Sequence, residues 1–137
     1  MLKGKKVVLG VCGGIAAYKG LDIVSSLKKI NAEVDVIMTE AATKFVTPLS
    51  FQSLSQNPVS VDMFTSPKYW EIEHISLAKK ADLFVIAPAS ANLLGKVANG
   101  IADDMLSTTL MATRAPVLFA PAMNTNMYEK PIVQDNI

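Results

Sequence analysis

The chain has 137 residues, with one cysteine, one histidine and a formal net charge of +1. This is the length of one domain, and such a domain buries roughly two-thirds of its unfolded surface without disulfides or structural metal. One histidine and one cysteine are too few for a zinc site, and the single arginine argues against a nucleic-acid groove. Only 18% of the residues are charged, below the roughly 25% usual for soluble domains, which predicts that a partner subunit or a cofactor covers part of the surface.

No segment has the pattern of a membrane span or a cleaved signal peptide. The most apolar stretches, 83–87 and 115–123, are far shorter than the roughly 20 residues that a spanning helix needs. The apolar residues after the basic start are interrupted by Gly10, Gly13 and Gly14, where a signal peptide would continue to a cleavage site. We therefore expect a cytoplasmic protein that contacts no membrane.

The first half of the chain alternates between strand and helix patterns. A continuous apolar run over 5–11 predicts a strand that is covered on both faces. Apolar residues at three- and four-residue steps predict a helix over 15–30, and a strand is expected over 34–38. Thr39 and Glu40 indicate a helix start, and Pro48 begins a short helix over 49–54. The irregular stretch that follows predicts a strand or extended piece near 59–61 and then a loop.

The second half repeats the same alternation. A short helix over 75–81 precedes a buried strand over 82–87, two helices are expected over 93–99 and 103–113, and a last strand over 117–120. Strands and helices in this order predict an α/β fold with a doubly wound parallel sheet, a flavodoxin-like or Rossmann-like three-layer sandwich. We expect one domain over residues 1–137.

Four short segments should meet at one edge of this sheet. In such sheets ligands bind beyond the carboxyl ends of the strands, which here are followed by residues 13–16, 39–40, 90–92 and 122–124. Glycines let backbone N–H groups approach a ligand, and helix starts attract anions, so the pattern predicts a phosphorylated cofactor. The glycine loop matches neither the dinucleotide fingerprint nor the P-loop, which disfavours NAD and ATP.

Three further side chains can carry chemistry or merely fill space. His74 is the one side chain whose unperturbed pKa lies near neutrality. A lone histidine is more often incidental than catalytic, but the irregular aromatic loop over 64–70 that precedes it is of the kind that borders sites. Cys12 is predicted to be a small buried residue beside the glycines. Met127 follows Asn124 closely and can line a pocket.

Taken together, the motifs resemble the homo-oligomeric flavin-containing cysteine decarboxylases. The resemblance spans almost the whole chain, and its most specific part is the motif that contains Asn124. Tyr128 stands where the family usually has tryptophan. The matching segments are GGIAAYK at 13–19, Glu73-His74, PASAN at 88–92, GIADD at 100–104 and PAMNTNM at 121–127.

This resemblance implies an FMN-dependent carboxy-lyase. The family reaction oxidises a cysteinyl substrate, releases CO2 and reduces the resulting enethiol; here the implied conversion is 4'-phosphopantothenoylcysteine to 4'-phosphopantetheine in coenzyme A biosynthesis. The resemblance also implies a homo-oligomer built on trimers, with His74 in catalysis and Asn124 holding the substrate carboxylate beside Met127. The FMN ligands implied are Gly13, Gly14, Ile15, Thr39, Ser90, Ala91, Asn92 and Ala122.

Other members of the same fold leave alternatives open. A peptidyl-cysteine decarboxylase of the lantibiotic type shares the fold, FMN and the histidine. A non-catalytic FMN-binding regulatory subunit is a third hypothesis. A prenylated-flavin synthase and a flavodoxin-type electron carrier match the motifs less well. The family also has a downstream loop with a glycine-flanked cysteine, which is not reached before Ile137. We therefore expect a truncated domain that binds FMN and stops at the enethiol.

Overall fold

A four-stranded parallel sheet forms the centre of the protein. The computed structural model describes residues 2–62 and 70–137, with side chains from residue 75 onward in the second range. The strand order is β2-β1-β3-β4. The strands are β1 (Lys6–Val11), β2 (Glu33–Met38), β3 (Leu83–Ala89) and β4 (Val117–Pro121).

Seven α-helices and two short 3-10 helices connect and follow the strands in the described residues. The 3-10 helices, Ile15–Tyr18 and Ala41–Lys44, come after β1 and β2. None of the described helices is long and apolar enough to cross a membrane. The α-helices are α1 (Lys19–Lys29), α2 (Pro48–Ser55), α3 (Trp70–Lys80), α4 (Ala91–Ala98), α5 (Met105–Ala112), α6 (Thr125–Tyr128) and α7 (Pro131–Asn136).

Both faces of the sheet carry an apolar layer, because alternate strand residues point to opposite sides. On one face, Leu9 and Val36 pack with Val24 of α1 and Phe51 of α2. The opposite layer joins strand residues to three other helices; its buried members include Val8, Ile37, Phe84, Leu77 of α3, Leu93 of α4 and Leu106 of α5. The predicted three-layer α/β sandwich is confirmed.

The connections create a reversal of strand order between β1 and β3. The chain goes from β1 to β2 on one side of the sheet and then returns to place β3 on the other side of β1. Ligands in doubly wound proteins bind at the carboxyl ends of the strands where this reversal occurs. Gly13 follows β1, Thr39 follows β2 and Ser90 follows β3, so all three lie at that edge.

Several predicted boundaries were wrong. The helix expected over 15–30 is divided into the 3-10 helix Ile15–Tyr18 and α1. By contrast, the strand or extended piece expected near 59–61 is present as an extended segment that forms one parallel bridge, between Ser60 and Ile37. α3 begins at Trp70, so His74 lies inside this helix and not at its start. Most of the aromatic loop predicted over 64–70 lies outside the described residues.

Two contacts anchor the end of α3. The ammonium of Lys80 lies 2.6 Å from a carboxylate oxygen of Asp35, which occupies a buried position on β2. The Thr113 hydroxyl donates to the carbonyl of Ala78 at 2.9 Å, which joins α3 to the end of α5. These polar contacts supplement the apolar packing of Leu77.

Candidate functional site

A cavity of about 820 Å³ opens at the strand-order reversal. It is bordered by the loops that follow β1, β2 and β3, by one side of α4 and by the start of α5. Its volume lies within the range of small-molecule and cofactor sites. The described lining residues are Gly13, Thr39, Glu40, Ala41, Val61, Asp62, Ser90, Asn92, Leu93, Lys96, Asp103, Asp104 and Met105.

The glycine pair after β1 is required by two different constraints. A Cβ on Gly13 would lie 2.6 Å from the Cβ of Ala41 and 2.9 Å from its carbonyl carbon, so a side chain has no room there. Gly14 has open space around it but adopts φ 157° and ψ 166°, a conformation found almost only in glycine. The loop therefore keeps its backbone uncovered beside the cavity.

Hydroxyl groups cap the helical segments after β2 and β3. The Thr39 hydroxyl accepts a hydrogen bond from the Ala42 amide at 3.1 Å. The Ser90 hydroxyl accepts from the Leu93 amide at 3.2 Å and is the N-cap of α4. Because Ser90 and Asn92 line the cavity, the start of α4 lies at its edge, where the partial positive charge of the helix favours an anion.

The opposite wall is held by a capping box at the start of α5. The Asp104 carboxylate accepts from the Ser107 amide at 2.8 Å, and the Ser107 hydroxyl accepts from the Asp104 amide at 3.1 Å. The Asp103 amide also donates to the Ser107 hydroxyl at 3.1 Å. Capping boxes satisfy otherwise unpaired amides, so this wall has a defined conformation.

Lys96 joins this wall to α4. Its ammonium lies 2.8 Å from Asp103 Oδ1 and 3.7 Å from Asp104 Oδ2. The hydrogen bond to Asp103 is the main reason that the pKa of Lys96 is raised, and the same bond lowers the pKa of Asp103. Both groups are therefore charged at neutral pH.

Cys12, the first residue after β1, is fully buried. Burial raises the pKa of its thiol, and hydrogen bonding with Ser90 opposes this shift in part. The thiol is therefore protonated at neutral pH, whereas a nucleophilic cysteine would be a thiolate. Its buried position confirms the expectation of a small core residue.

The structure brings together four of the residues expected at the FMN site: Gly13, Thr39, Ser90 and Asn92 line the cavity. Gly14, Ile15 and Ala91 are their chain neighbours but are not among its described lining, and the Ile15 side chain is exposed. These assignments remain predictions.

The segment after β4 lies beside the cavity edge without being part of its described lining. The Ala122 amide donates to the carbonyl of Ala89 at 3.1 Å, which places this segment next to Ser90. Asn124 is the exposed N-cap of α6, with its side-chain oxygen accepting from the Asn126 amide at 2.8 Å. Met127 lies in α6 and is partly exposed.

His74 occupies the middle of α3, and its side chain lies outside the described part of the structure. The predicted catalytic role of His74 is therefore neither supported nor opposed by side-chain geometry. Within the described residues there is also no group of three His, Cys, Asp or Glu residues that could hold a metal ion.

Sequence reasoning placed Glu40 at this edge of the sheet but missed the other charged residues that line the cavity. The GIADD segment was recognised as a motif, but Asp103 and Asp104 had no assigned role, and Lys96 had none either. Lys96 lies six residues after Ser90 on the same helix. This spacing does not indicate from sequence that both residues line one cavity. The ion pair to Asp103 depends on the turn through Gly100, whose φ is +73°.

The family model for the Flavoprotein family matches residues 1–137. This chain belongs to the Flavoprotein family. The flavoprotein chain is 49% identical over 135 residues to the "Probable phosphopantothenoylcysteine decarboxylase" of Streptococcus mutans, covering 97% of this chain and 75% of that protein. It is 53% identical over 137 residues to the "Coenzyme A biosynthesis bifunctional protein CoaBC" of Bacillus subtilis, covering 100% of this chain. The flavoprotein chain spans only 34% of that bifunctional relative.

Two solved structures agree with the flavoprotein assignment. The FMN-dependent cysteine decarboxylase SpaF superposes with a TM-score of 0.89 at 33% identity, covering 99% of this chain and 78% of that one. A PPC decarboxylase mutant complexed with pantothenoylaminoethenethiol superposes with a TM-score of 0.80 at 31% identity, covering 98% of this chain and 75% of that one. Both likenesses extend over nearly the whole flavoprotein fold.

Proposed function

We propose that this flavoprotein chain is an FMN-binding domain that decarboxylates 4'-phosphopantothenoylcysteine in coenzyme A biosynthesis. The observation that carries the proposal is the convergence of Gly13, Thr39, Ser90 and Asn92, from three strand ends, on one cavity. The relatives named as a phosphopantothenoylcysteine decarboxylase and as coenzyme A biosynthesis proteins support this substrate class. In this proposal residues 1–137 form a single decarboxylase domain.

The residues present fit FMN. The cavity volume of about 820 Å³ is sufficient for a cofactor of that size. Gly13 and Gly14 leave backbone close to the space, and the α4 N-terminus next to Ser90 offers unpaired amides to an anionic group. When bound, FMN supplies the hydride chemistry that protein side chains lack. We assign its binding to Gly13, Gly14, Ile15, Thr39, Ser90, Ala91, Asn92 and Ala122.

Asn124 is suited to holding the substrate carboxylate. Its side-chain oxygen is already bound to the Asn126 amide, so the side-chain nitrogen is the group that can donate to a ligand. A neutral donor orients a carboxylate without the strong charge attraction that would stabilise it against loss of CO2. We place Met127 beside the same substrate and His74 in a catalytic role.

The assembly proposed is a homo-oligomer built on trimers. Leu118 of β4 is 58% exposed although it lies within a sheet strand, and Ile15 beside the glycine loop is 84% exposed. Large apolar side chains left uncovered at such positions are typical of surfaces that are buried in an assembly. We also propose a cytoplasmic location, in which the thiol of Cys12 stays reduced.

The proposal is tested on the purified full-length protein. The flavin released on denaturation is identified by chromatography, and CO2 release from 4'-phosphopantothenoylcysteine is measured. We expect FMN, and we expect CO2 release that Asn124→Ala and His74→Gln each lower by roughly a hundredfold, the usual contribution of a positioned polar group. A protein that does not take up FMN, or that takes it up and releases no CO2 from this substrate, would contradict the proposal.

A second candidate is decarboxylation of a peptide that ends in cysteine. The peptidyl-cysteine decarboxylase EpiD superposes with a TM-score of 0.83 at 24% identity and the PPC decarboxylase with 0.80, so the fold is compatible with either substrate. Sequence identity favours the first candidate, since the S. mutans relative is 49% identical. Parallel assays with a cysteine-terminated peptide and with 4'-phosphopantothenoylcysteine separate the two, and activity on the peptide alone would favour the second.

A further inference from the structure

The charged side chains of the cavity are an unexpected environment for an anionic cofactor. Among the described lining residues, Lys96 is the cation, and it is accompanied by the four acidic residues Glu40, Asp62, Asp103 and Asp104. FMN carries a negatively charged phosphate. Nearby carboxylates repel this phosphate, and the repulsion is stronger where the surrounding protein lowers the dielectric constant. The proposed FMN site must therefore offset part of this negative charge.

Lys96 is placed where it can offset that charge. Its side chain is 18% exposed, and its ammonium contacts Asp103 Oδ1 at 2.8 Å and Asp104 Oδ2 at 3.7 Å. We refer to Lys96, Asp103 and Asp104 as the Lys96 ion-pair cluster. The raised pKa of Lys96 and the lowered pKa of Asp103 agree with an ion pair that is formed at neutral pH.

The Lys96 ion-pair cluster also connects two structural elements. Lys96 lies in the last turn of α4, whereas Asp104 is the N-cap of α5. Between them the chain turns through Gly100 at φ +73°, and the loop 99–104 includes part of the cavity wall. A cation that bridges both ends of this loop limits the positions that the wall can adopt.

We propose that Lys96 is a positioning residue of the cofactor site, which acts through Asp103 and Asp104 and does not itself bind the FMN phosphate. It fixes the loop 99–104 against α4 and cancels negative charge at the cavity surface. This inference rests on the proposed binding of FMN. It differs from the simpler interpretation that a lysine in a cofactor cavity is a phosphate ligand.

The contacts of Lys96 support this role over direct phosphate binding. A lysine ammonium is a compact charge, and here it already faces two carboxylates at 2.8 and 3.7 Å. A phosphate would have to compete with both for the same ammonium. The backbone near Gly13 and Gly14 and the start of α4 offer donors that are not opposed by carboxylates in this way.

The experiment separates these two roles by charge rescue in the full-length protein. Lys96→Met removes the cation, Lys96→Arg keeps it, and Lys96→Met/Asp103→Asn/Asp104→Asn removes the acids as well. Asparagine is as good an N-cap as aspartate, so the start of α5 is retained in the triple variant. Lys29→Met, an exposed lysine in the last turn of α1, is the matched control for loss of a positive charge.

Two quantities are measured on each variant: the dissociation constant for FMN, from quenching of flavin fluorescence, and hydrogen exchange of the 99–104 amides in the apoprotein. We expect Lys96→Met to weaken FMN binding roughly tenfold and to speed exchange of the Asp103 and Asp104 amides. Lys96→Arg and Lys29→Met should behave as the wild type. The triple variant should bind FMN within about threefold of the wild type.

Two results would overturn the inference. If Lys96→Met weakens FMN binding without changing amide exchange, and the triple variant does not recover, Lys96 binds the cofactor directly. If Lys96→Met changes neither FMN affinity nor amide exchange, the ion-pair cluster has no positioning role. Failure of the wild-type protein to bind FMN would instead contradict the proposed function, and the exchange measurement would still test whether Lys96 holds the loop.

Discussion

Gly13 and Ala41 approach each other so closely at the cavity that a Cβ on Gly13 would lie 2.6 Å from the Cβ of Ala41. Gly13 is the second residue after β1, and Ala41 begins the 3-10 helix that follows β2. The contact therefore sets the distance between two of the three strand-end loops that border the cavity. Any side chain at position 13 must push these loops apart.

Gly13→Ala should weaken both folding and flavin binding. The new methyl group would clash with the backbone of Ala41, which cannot move as freely as a side-chain tip. We expect a loss of about 1–3 kcal/mol in the free energy of unfolding, as is typical of overpacking, and a weaker FMN affinity. Urea unfolding and flavin titration measure the two effects.

Gly95→Ala is the matched control for that change. Gly95 lies within α4, and a Cβ there would meet Asn136 Nδ2 at 3.6 Å, an ordinary contact. Since alanine favours a helix interior over glycine by about 0.5–1 kcal/mol, this variant should be as stable as the wild type or more so. Equal destabilisation by both substitutions would contradict a specific role for the contact between Gly13 and Ala41.

Ser90→Ala should affect flavin binding as well as stability. Removing the N-cap of α4 leaves the Leu93 amide without its side-chain acceptor and should cost about 1 kcal/mol of folding stability. Thr47→Ala removes the equivalent cap from α2, where the Thr47 hydroxyl accepts from the Ser50 amide at 3.2 Å away from the cavity. The two variants should lose similar stability in thermal unfolding. Only Ser90→Ala should weaken FMN binding, and a matching loss in Thr47→Ala would show that the effect is general destabilisation.

Lys80→Met should destabilise the protein more than the loss of a surface ion pair would. Asp35 is buried on β2, so removal of its partner leaves a carboxylate with little access to water. Because Lys80 is partly exposed, we expect a loss of about 2 kcal/mol in the free energy of unfolding, below the value for a fully buried pair. Lys79→Met, at the exposed neighbouring position, should change stability by less than about 0.5 kcal/mol.

A double-mutant cycle tests whether the Lys80 effect arises from Asp35. In Lys80→Met/Asp35→Asn the buried group is neutral, so the double variant should be more stable than Lys80→Met alone. Chemical denaturation of the wild type, Lys80→Met, Asp35→Asn and the double variant gives the interaction energy between the two side chains. Additive effects of the two substitutions would mean that the 2.6 Å contact contributes no interaction energy.

The stability of the protein should fall at alkaline pH through Cys12. Burial raises the pKa of the Cys12 thiol above its ordinary value of 9.0. Below pH 9 the thiol is protonated in both states, whereas above it the unfolded chain loses the proton while the folded protein retains it. The free energy of unfolding should therefore decline as pH rises from 9 towards the pKa of the folded state.

Comparison with Cys12→Ala isolates this contribution. Lysine and tyrosine side chains titrate in both proteins. The contribution of the thiol is therefore the difference between the two proteins in how steeply the free energy of unfolding changes with pH. We expect the wild-type decline to be steeper by up to about 1.4 kcal/mol per pH unit, the limit for one proton. Reaction with a thiol reagent at pH 8 should also be slow until the protein is unfolded. Parallel stability curves for the two proteins would contradict the predicted shift.

Local pattern was enough to predict the α/β sandwich. The apolar runs of β1 and β3 and the helical periodicity of α1 depend on neighbours close in sequence, and they predicted the elements that the structure contains. The ends of these elements were less well predicted. The helix that begins at Ile15 is a 3-10 turn as far as Tyr18 and becomes α1 at Lys19, a change of helix type that periodicity does not report.

The fold class, the family and the motifs at the strand ends could all be predicted from the sequence, because residue type and short-range spacing carry them. Only the tertiary structure placed Lys96 against Asp103 and brought Gly13 to Ala41. Those contacts depend on how loops from separate strands turn at the reversal in strand order. A turn through Gly100 or the packing of one loop on another sets positions in space that no periodic pattern encodes, and these positions decide the charge and shape of the cavity.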